Sequence, residues 1–160
     1  MTELLFHLLL PCVYAFLSCA GFCLVFNIHG PGILICCTGG ALGWLVYLSA
    51  AFATDNVILR FLLASISISL FAEIMARVRH CPVTGYLIIA LLPLVPGGGI
   101  YEAMLHCVRG DTQMFLSALV RTMGIAGALA LGTVLGSSVM RIVFPIFNRL
   151  HKGTGGPTHA

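Results

Sequence analysis

The sequence is poor in charged residues: only 8% of its 160 residues are Asp, Glu, Lys or Arg. An ordinary soluble domain carries about a quarter. Eight basic and five acidic side chains are too few to form the polar surface of a soluble fold. This excludes a soluble enzyme, a disordered chain and a nucleic-acid-binding domain. With 59% apolar residues, the composition predicts one domain whose main solvent is the lipid bilayer.

Motifs for catalysis, nucleotide binding and metal binding are also missing. There is no Walker loop, no Gly-x-Ser-x-Gly and no His-Glu-x-x-His. Seven cysteines are an odd number and most lie in apolar runs, so we expect free thiols that pack as small apolar groups. The pairs His80-Cys81 and His106-Cys107 are 26 residues apart, about 39 Å along a helix. We therefore expect no enzyme activity, no metal site and no cofactor.

What the sequence does contain is long apolar runs, and five of them approach the roughly twenty residues that a membrane-spanning helix needs. They cover residues 4–26, 33–53, 57–76, 83–108 and 123–140. The pattern predicts an all-α integral membrane protein, a bundle of about five transmembrane helices within residues 1–144. Residues 145–160 are predicted to form a flexible, basic cytoplasmic tail. Because the links are short, any function must lie in the bilayer or at its faces.

Basic residues near the ends of the runs predict the orientation. One side of the predicted bundle carries Arg77, Arg79, Arg141, Arg149 and Lys152. The other side carries Arg60, Arg109 and Arg121. Five against three favours a cytoplasmic tail and an N-terminus outside.

The fourth run is interrupted by the segment Pro93-Leu94-Val95-Pro96-Gly97-Gly98-Gly99. Proline removes a backbone donor, and glycine is a poor helix former that tolerates strained backbone. The segment predicts a discontinuous helix, of the kind that transporters use to build sites near mid-bilayer. We expect the second half to begin near Ile100 and its free amides to receive an anionic group. The alternative is a simple kink.

Two carboxylates lie inside or beside the apolar runs. Glu102 follows the break and either carries a proton or cation, or complements the dipole of its own helix. Glu73 precedes Arg77 by four residues, which favours an intrahelical ion pair, although Glu73 is also a candidate coupling acid. Tyr101 fits an anchor at the membrane interface.

Arg121 and Arg141 bracket residues 123–140, a length of about 27 Å. This spacing favours two arginines that reach opposite membrane surfaces over a substrate-binding Arg121. Small residues repeat at four-residue spacing on the fifth run, at Gly124, Ala128, Gly132 and Gly136. Gly39 and Gly43 do the same on the second run. Such repeats indicate close helix packing and also suit an interface with a partner. Ser65 and Ser69 share one face of the third run, where contact with a neighbouring helix is favoured.

Two motifs resemble those of a known family. The first is Gly21-Phe22-x-x-Val25-Phe26-Asn27, and the second is Pro93-x-x-Pro96-Gly97-x-x-x-Tyr101-x-x-Met104. With five spans in about 150 residues, the chain resembles the threonine/serine exporter family. It is most similar to the small subunit of the split, two-protein form.

The resemblance implies export of small polar metabolites across the bacterial inner membrane, either threonine and serine or small dicarboxylates such as succinate. It also implies a larger family subunit as partner, since the fused members have ten spans. Two five-span halves of opposite orientation would form an inverted repeat with the site between them. The residues expected at the substrate site are Pro93, Pro96, Gly97, Gly98, Gly99, Tyr101 and Asn27. Glu102 and Glu73 are the expected coupling acids, with Asp55 a weaker polar candidate.

Three hypotheses stay open at this point. The chain is either half of a secondary transporter, a non-transporting accessory subunit that stabilises a larger partner, or a homo-oligomeric channel. A proton or sodium gradient is the expected driving force for transport, because the sequence has no nucleotide-binding loop.

Overall fold

Every regular element that the structure describes is helical. The structure is a computed structural model that describes the backbone of residues 2–152 and the side chains of residues 9–143. The helices are α1 (Thr2–Val25), α2 (Gly32–Ala50), α3 (Val57–Arg79), α4 (Val83–Leu91), α5 (Gly97–Val108) and α6 (Thr112–Lys152). A 3₁₀ turn, Leu92–Leu94, follows α4. The predicted all-α fold is confirmed.

Residues with turn and capping chemistry set the ends of the helices. The side chain of Asn56 accepts a hydrogen bond from the Ile58 N–H at 3.1 Å and caps α3. His80 ends α3 in the left-handed conformation, with φ of 54°, while the Cys81 N–H bonds back to the Ala76 carbonyl. Gly110 has φ of 75°, and Asp111 then accepts from the Met114 N–H to begin α6. Because these turns end one helix and cap the next within a few residues, the links between the helices are short.

Three segments are long and apolar enough to cross a membrane alone: α2, α3 and residues Thr112–Val143 of α6. A fourth is the pair formed by Val83–Leu94 and α5, which bends by 51° at its break. At one end of this pair Tyr86 lies 3.5 Å from the position of a β-carbon at Gly32, where α2 begins. At its other end His106 lines a cavity with Tyr47 and Val57, next to the α2–α3 link. The pair therefore runs from one end of the bundle to the other as one broken span.

The apolar part of α1 with described side chains, Leu9–Val25, is shorter than these spans. The count of five spans therefore stays a prediction, because the described helices give three candidate spans, or four with the broken pair. Helix α6 extends beyond the apolar run at 123–140 on both sides. It begins after the cap at Asp111, and its backbone is helical through Lys152. The backbone of residues 145–152, the first part of the predicted tail, is thus helical. Residues 153–160 lie outside the described part of the chain.

The core is built from small side chains. One cluster joins α1, α2, α3 and α4 around Cys19, Cys23, Cys36 and Cys37, each at most 1% exposed. All seven cysteines are free, as expected. A second cluster joins α3 and α4 to the 3₁₀ turn through Ala64, Ile68, Ala90 and Leu94. Since Ile68 and Leu94 also contact the glycine Gly43 of α2, the break lies at mid-depth in the bundle.

The small-residue repeat of α6 is used inside the chain, against α3. A β-carbon at Gly132 would overlap the Ser65 hydroxyl and lie 2.8 Å from the Leu62 carbonyl oxygen. The Ser69 hydroxyl donates to the Thr133 carbonyl at 3.0 Å. The repeats in α6 and α2 therefore serve intrachain packing, and they are not free to form the partner interface that we considered for them. The predicted contact of the serines with a neighbouring helix is confirmed.

We predict that Gly132→Ala lowers the free energy of unfolding by about 1–3 kcal/mol, because the new methyl group meets a backbone carbonyl that cannot rotate away. Gly127→Ala is the matched control on the same helix, since nothing lies within 4 Å of a β-carbon there. Thermal unfolding of the purified protein in detergent measures both variants. Equal unfolding temperatures for the two would contradict the tight α3–α6 contact.

Candidate functional site

The break in the fourth span comes earlier than its glycines. The 3₁₀ turn Leu92–Leu94 is followed by Val95 in an extended conformation, with ψ of 129°, and by Pro96 with ψ of 56°. Helix α5 then begins at Gly97, where we had expected its start near Ile100. The Ile100 N–H already donates to the Pro96 carbonyl at 3.2 Å, so the three glycines form the first helical turn. The unwound residues are Val95 and Pro96.

A cavity of about 560 Å³ opens beside the break and extends to the end of the bundle where α2 ends and α3 begins. Helices α5 and α6 form its polar wall. This wall carries three charged or titratable side chains and two hydroxyls, namely Glu102, His106, Arg121, Ser117 and Thr122. Helices α2 and α3 supply the opposite wall through Tyr47, Val57 and Phe61. The cavity is thus polar on one wall and largely apolar on the other.

The cavity contains part of the predicted site. Pro96, Gly98, Gly99 and Glu102 line it. The side chain of Tyr101 is 68% exposed and lies outside the lining, as do Pro93 and Gly97. The predicted residues close to the break are therefore divided between the cavity wall and positions outside it, in the 3₁₀ turn and on α5.

Asn27 and Glu73 lie away from this cavity. Asn27 is exposed in the α1–α2 link and adopts φ of 57°, a conformation that Asn tolerates better than most residues. The backbone conformation of this turn therefore accounts for an asparagine at residue 27.

Glu73 is buried near the end of α3 and accepts a hydrogen bond from Arg77 at 3.2 Å. This is the intrahelical ion pair favoured by the four-residue spacing. The Glu73–Arg77 pair lies toward the end of the bundle where α3 meets α4. Glu73 and Glu102 are therefore not brought together. Asp55 is fully exposed and lies 3.7 Å from Arg60.

Three polar residues of the wall were not among the predicted substrate contacts: His106, Ser117 and Thr122. We had placed the start of the fifth span at residue 123, so the first turns of α6 were not considered as part of a site. His106 follows Glu102 by four residues, and this helical spacing is the signal that identifies it. Arg121, which we expected to reach a membrane surface, is exposed and also lines the cavity.

Helices α5 and α6 approach each other closely at Gly99 and Thr122. A β-carbon at Gly99 would overlap the Thr122 hydroxyl, which itself donates to the Ala118 carbonyl at 2.7 Å. At Gly97 and Gly98 nothing lies within 4 Å of a β-carbon. Of the three glycines, Gly99 is thus the one whose missing side chain allows the helices to meet.

A comparison with protein families decides what kind of protein carries this cavity. The family model described as "Threonine/Serine exporter, ThrE" matches residues 11–139. The chain belongs to the threonine/serine exporter family. The match includes the broken span and every residue of the cavity wall, so these are features of the exporter domain. No solved structure matches the chain.

For this exporter-family chain we predict that Gly99→Ala lowers the amount of folded protein in the membrane, while Gly97→Ala does not. The reason is the contact of the new methyl group with Thr122, which costs about 1–3 kcal/mol. Thr122→Ala should rescue Gly99→Ala, because it removes the overlapping hydroxyl. Membrane levels and unfolding temperatures of the single and double variants form a double-mutant cycle. Additive effects in that cycle would argue against the contact.

Proposed function

We propose that this chain is a membrane subunit of a secondary transporter that exports small polar metabolites across the bacterial inner membrane. The observation that carries the proposal is the cavity at the helix break in a chain of the exporter family. One wall of this cavity carries the acidic side chain of Glu102 and the basic side chain of Arg121. Threonine and serine, or small dicarboxylates such as succinate, are the proposed substrates.

The charges of the cavity wall support a substrate that bears a carboxylate. Arg121 on α6 offers a guanidinium that can hold a carboxylate through two hydrogen bonds. Gly98 and Gly99 lie in the first turn of α5, where N–H groups have no partner within the helix and the dipole favours an anion. Glu102 lies one turn further and offers a counter-charge for a substrate ammonium group. Ser117 supplies a hydroxyl for a polar substrate side chain.

Coupling to an ion gradient is assigned to Glu102. It lines the cavity, whereas Glu73 is occupied by Arg77 away from it. A carboxylate that exchanges a cation or proton for substrate within one cavity links the two fluxes. Glu73 is accordingly better explained as a structural residue of α3.

A larger family subunit is the proposed partner. Glu102 and Arg121 are both exposed in the single chain, although they belong to apolar helices. A charged side chain facing hydrocarbon costs about 2.5–3.5 kcal/mol at the centre of a membrane helix. A second five-span block of opposite orientation would cover α5 and close the cavity, as in inverted-repeat transporters.

We predict that Arg121→Gln strongly raises the substrate concentration needed for half-maximal export, by about tenfold or more, since a charged hydrogen-bond partner of the carboxylate is lost. Arg141→Gln is the control, because Arg141 lies on the same helix far from the cavity. The measurement is efflux of labelled threonine, serine and succinate from membrane vesicles of the natural host. Equal half-maximal concentrations for the two variants would remove Arg121 from the substrate site. Wild-type vesicles that export none of the three compounds would refute the proposed function.

We predict that the exposed thiol of Cys107 on α5 can be cross-linked to a larger membrane protein in native membranes. The product should be heavier than twice the 17.0 kDa of this chain. Cys81, exposed at the opposite end of the broken span, controls for non-specific reaction. A product at twice the mass of the chain would indicate a second copy instead, as a homo-oligomeric channel requires.

A further inference from the structure

Tyr47 of α2 carries a hydroxyl group that the fold itself does not use. The described lining of the cavity contains three hydroxyls, on Tyr47, Ser117 and Thr122. Ser117 donates its proton to the Met114 carbonyl at 2.9 Å, and Thr122 donates to the Ala118 carbonyl at 2.7 Å. The Tyr47 hydroxyl has no hydrogen-bond partner among the described residues. Of these three groups, the phenol is therefore the one with a proton available for a molecule in the cavity.

Aromatic contacts hold the ring of Tyr47 in place. Its centroid lies 5.4 Å from that of Trp44 in an edge-to-face arrangement, with 77° between the two planes. The centroid of the Phe61 ring on α3 lies 4.7 Å away on centroids. All three rings pack against the buried cluster that joins α3 and α4 to the 3₁₀ turn. Because the ring is already packed and has few rotamers, the phenol loses little conformational entropy when it binds a ligand.

The wall around Tyr47 is otherwise apolar. Val57 and Phe61 complete it, and in the described lining this wall carries no charged side chain. The second carboxylate of a dicarboxylate would therefore meet no cation there and would lose hydration without compensation. A substrate group that combines one hydroxyl with one apolar part matches the phenol and its apolar neighbours.

We propose that Tyr47 is a specificity-determining residue, whose hydroxyl donates a hydrogen bond to the side-chain hydroxyl of the exported amino acid. The inference rests on the proposed function, in which α5 and α6 hold the carboxylate and ammonium groups of the substrate. The substrate side chain then faces the wall formed by α2 and α3. An amino acid without a hydroxyl would displace water from the phenol and leave its proton without a partner, which weakens binding.

The test compares threonine with valine, because the two have nearly the same shape and differ by a hydroxyl in place of a methyl group. Exchange of labelled threonine is measured in membrane vesicles of the natural host that contain the full assembly, with unlabelled threonine or valine as competitor. The readout is the ratio of the two half-inhibitory concentrations.

Two variants are compared with the wild type. Tyr47→Phe removes only the hydroxyl and keeps the ring that contacts Trp44 and Phe61. Tyr14→Phe is the matched control, since Tyr14 is exposed on α1 and lies outside the cavity lining. Membrane level and the exchange rate at saturating threonine are measured for both variants.

We expect threonine to compete in the wild type at a concentration about tenfold below that of valine, as one hydrogen bond between neutral groups provides. In Tyr47→Phe the difference should fall below about threefold, since the donor is gone. Its membrane level and saturated exchange rate should match the wild type, and Tyr14→Phe should keep the wild-type ratio. A purely structural role of Tyr47 would change both half-inhibitory concentrations by the same factor and leave their ratio constant.

Three results would overturn the inference. One is a valine-to-threonine ratio in Tyr47→Phe that equals the wild-type ratio. Another is a wild type that does not distinguish valine from threonine, or that exchanges succinate and not threonine. The third is loss of Tyr47→Phe from the membrane, because the hydroxyl would then have a role within the fold. In each of these cases exchange by the wild type persists, so the proposed function stands. Absence of wild-type exchange for threonine, serine and succinate would instead refute the proposed function.

Discussion

The close contact between α3 and α6 is the interaction on which the rest of the site depends. Glycines of α6 lie directly against serine side chains and carbonyl oxygens of α3, so the backbones approach as only residues without a β-carbon permit. Helix α6 carries Arg121 and Thr122 and is the main support of α5. The polar wall of the cavity is therefore held to the bundle through this one contact. The serine hydroxyls in it are satisfied by carbonyls, so no buried polar group is left without a partner there.

The class of fold and the broken span could be predicted from local properties of the sequence. Hydropathy identifies α2 and α3, and two prolines followed by glycines identify the break, because their effects on the backbone do not depend on distant residues. The intrahelical pair of Glu73 and Arg77 follows from spacing alone for the same reason. The family resemblance rests on residues at the end of α1 and around the break.

Other features depend on which helices meet and could not be read from spacing. A repeat of small residues shows that a helix packs closely, but the identity of its neighbour is a property of the fold. The α6 repeat could therefore equally have served a partner. Likewise, His106 and Thr122 join the site because α5 folds back onto the first turns of α6. The start of α5 was misplaced because glycine has low helix propensity, whereas the structure builds the first turn of α5 from three glycines, of which only Gly99 packs against Thr122.

The attachment of α5 to a single neighbour has a mechanical consequence. Because α5 packs mainly on α6, and Val95 and Pro96 separate it from α4, the α5–α6 hairpin is joined to the cysteine-lined core only by an unwound joint and by the α3 contact. A change of angle at that joint would leave the contacts among α1, α2 and α4 intact but would strain the close α3–α6 contact. The helix break therefore joins two parts of the chain that pack separately, the core of α1, α2 and α4 and the α5–α6 hairpin, and it lies at mid-depth in the bundle.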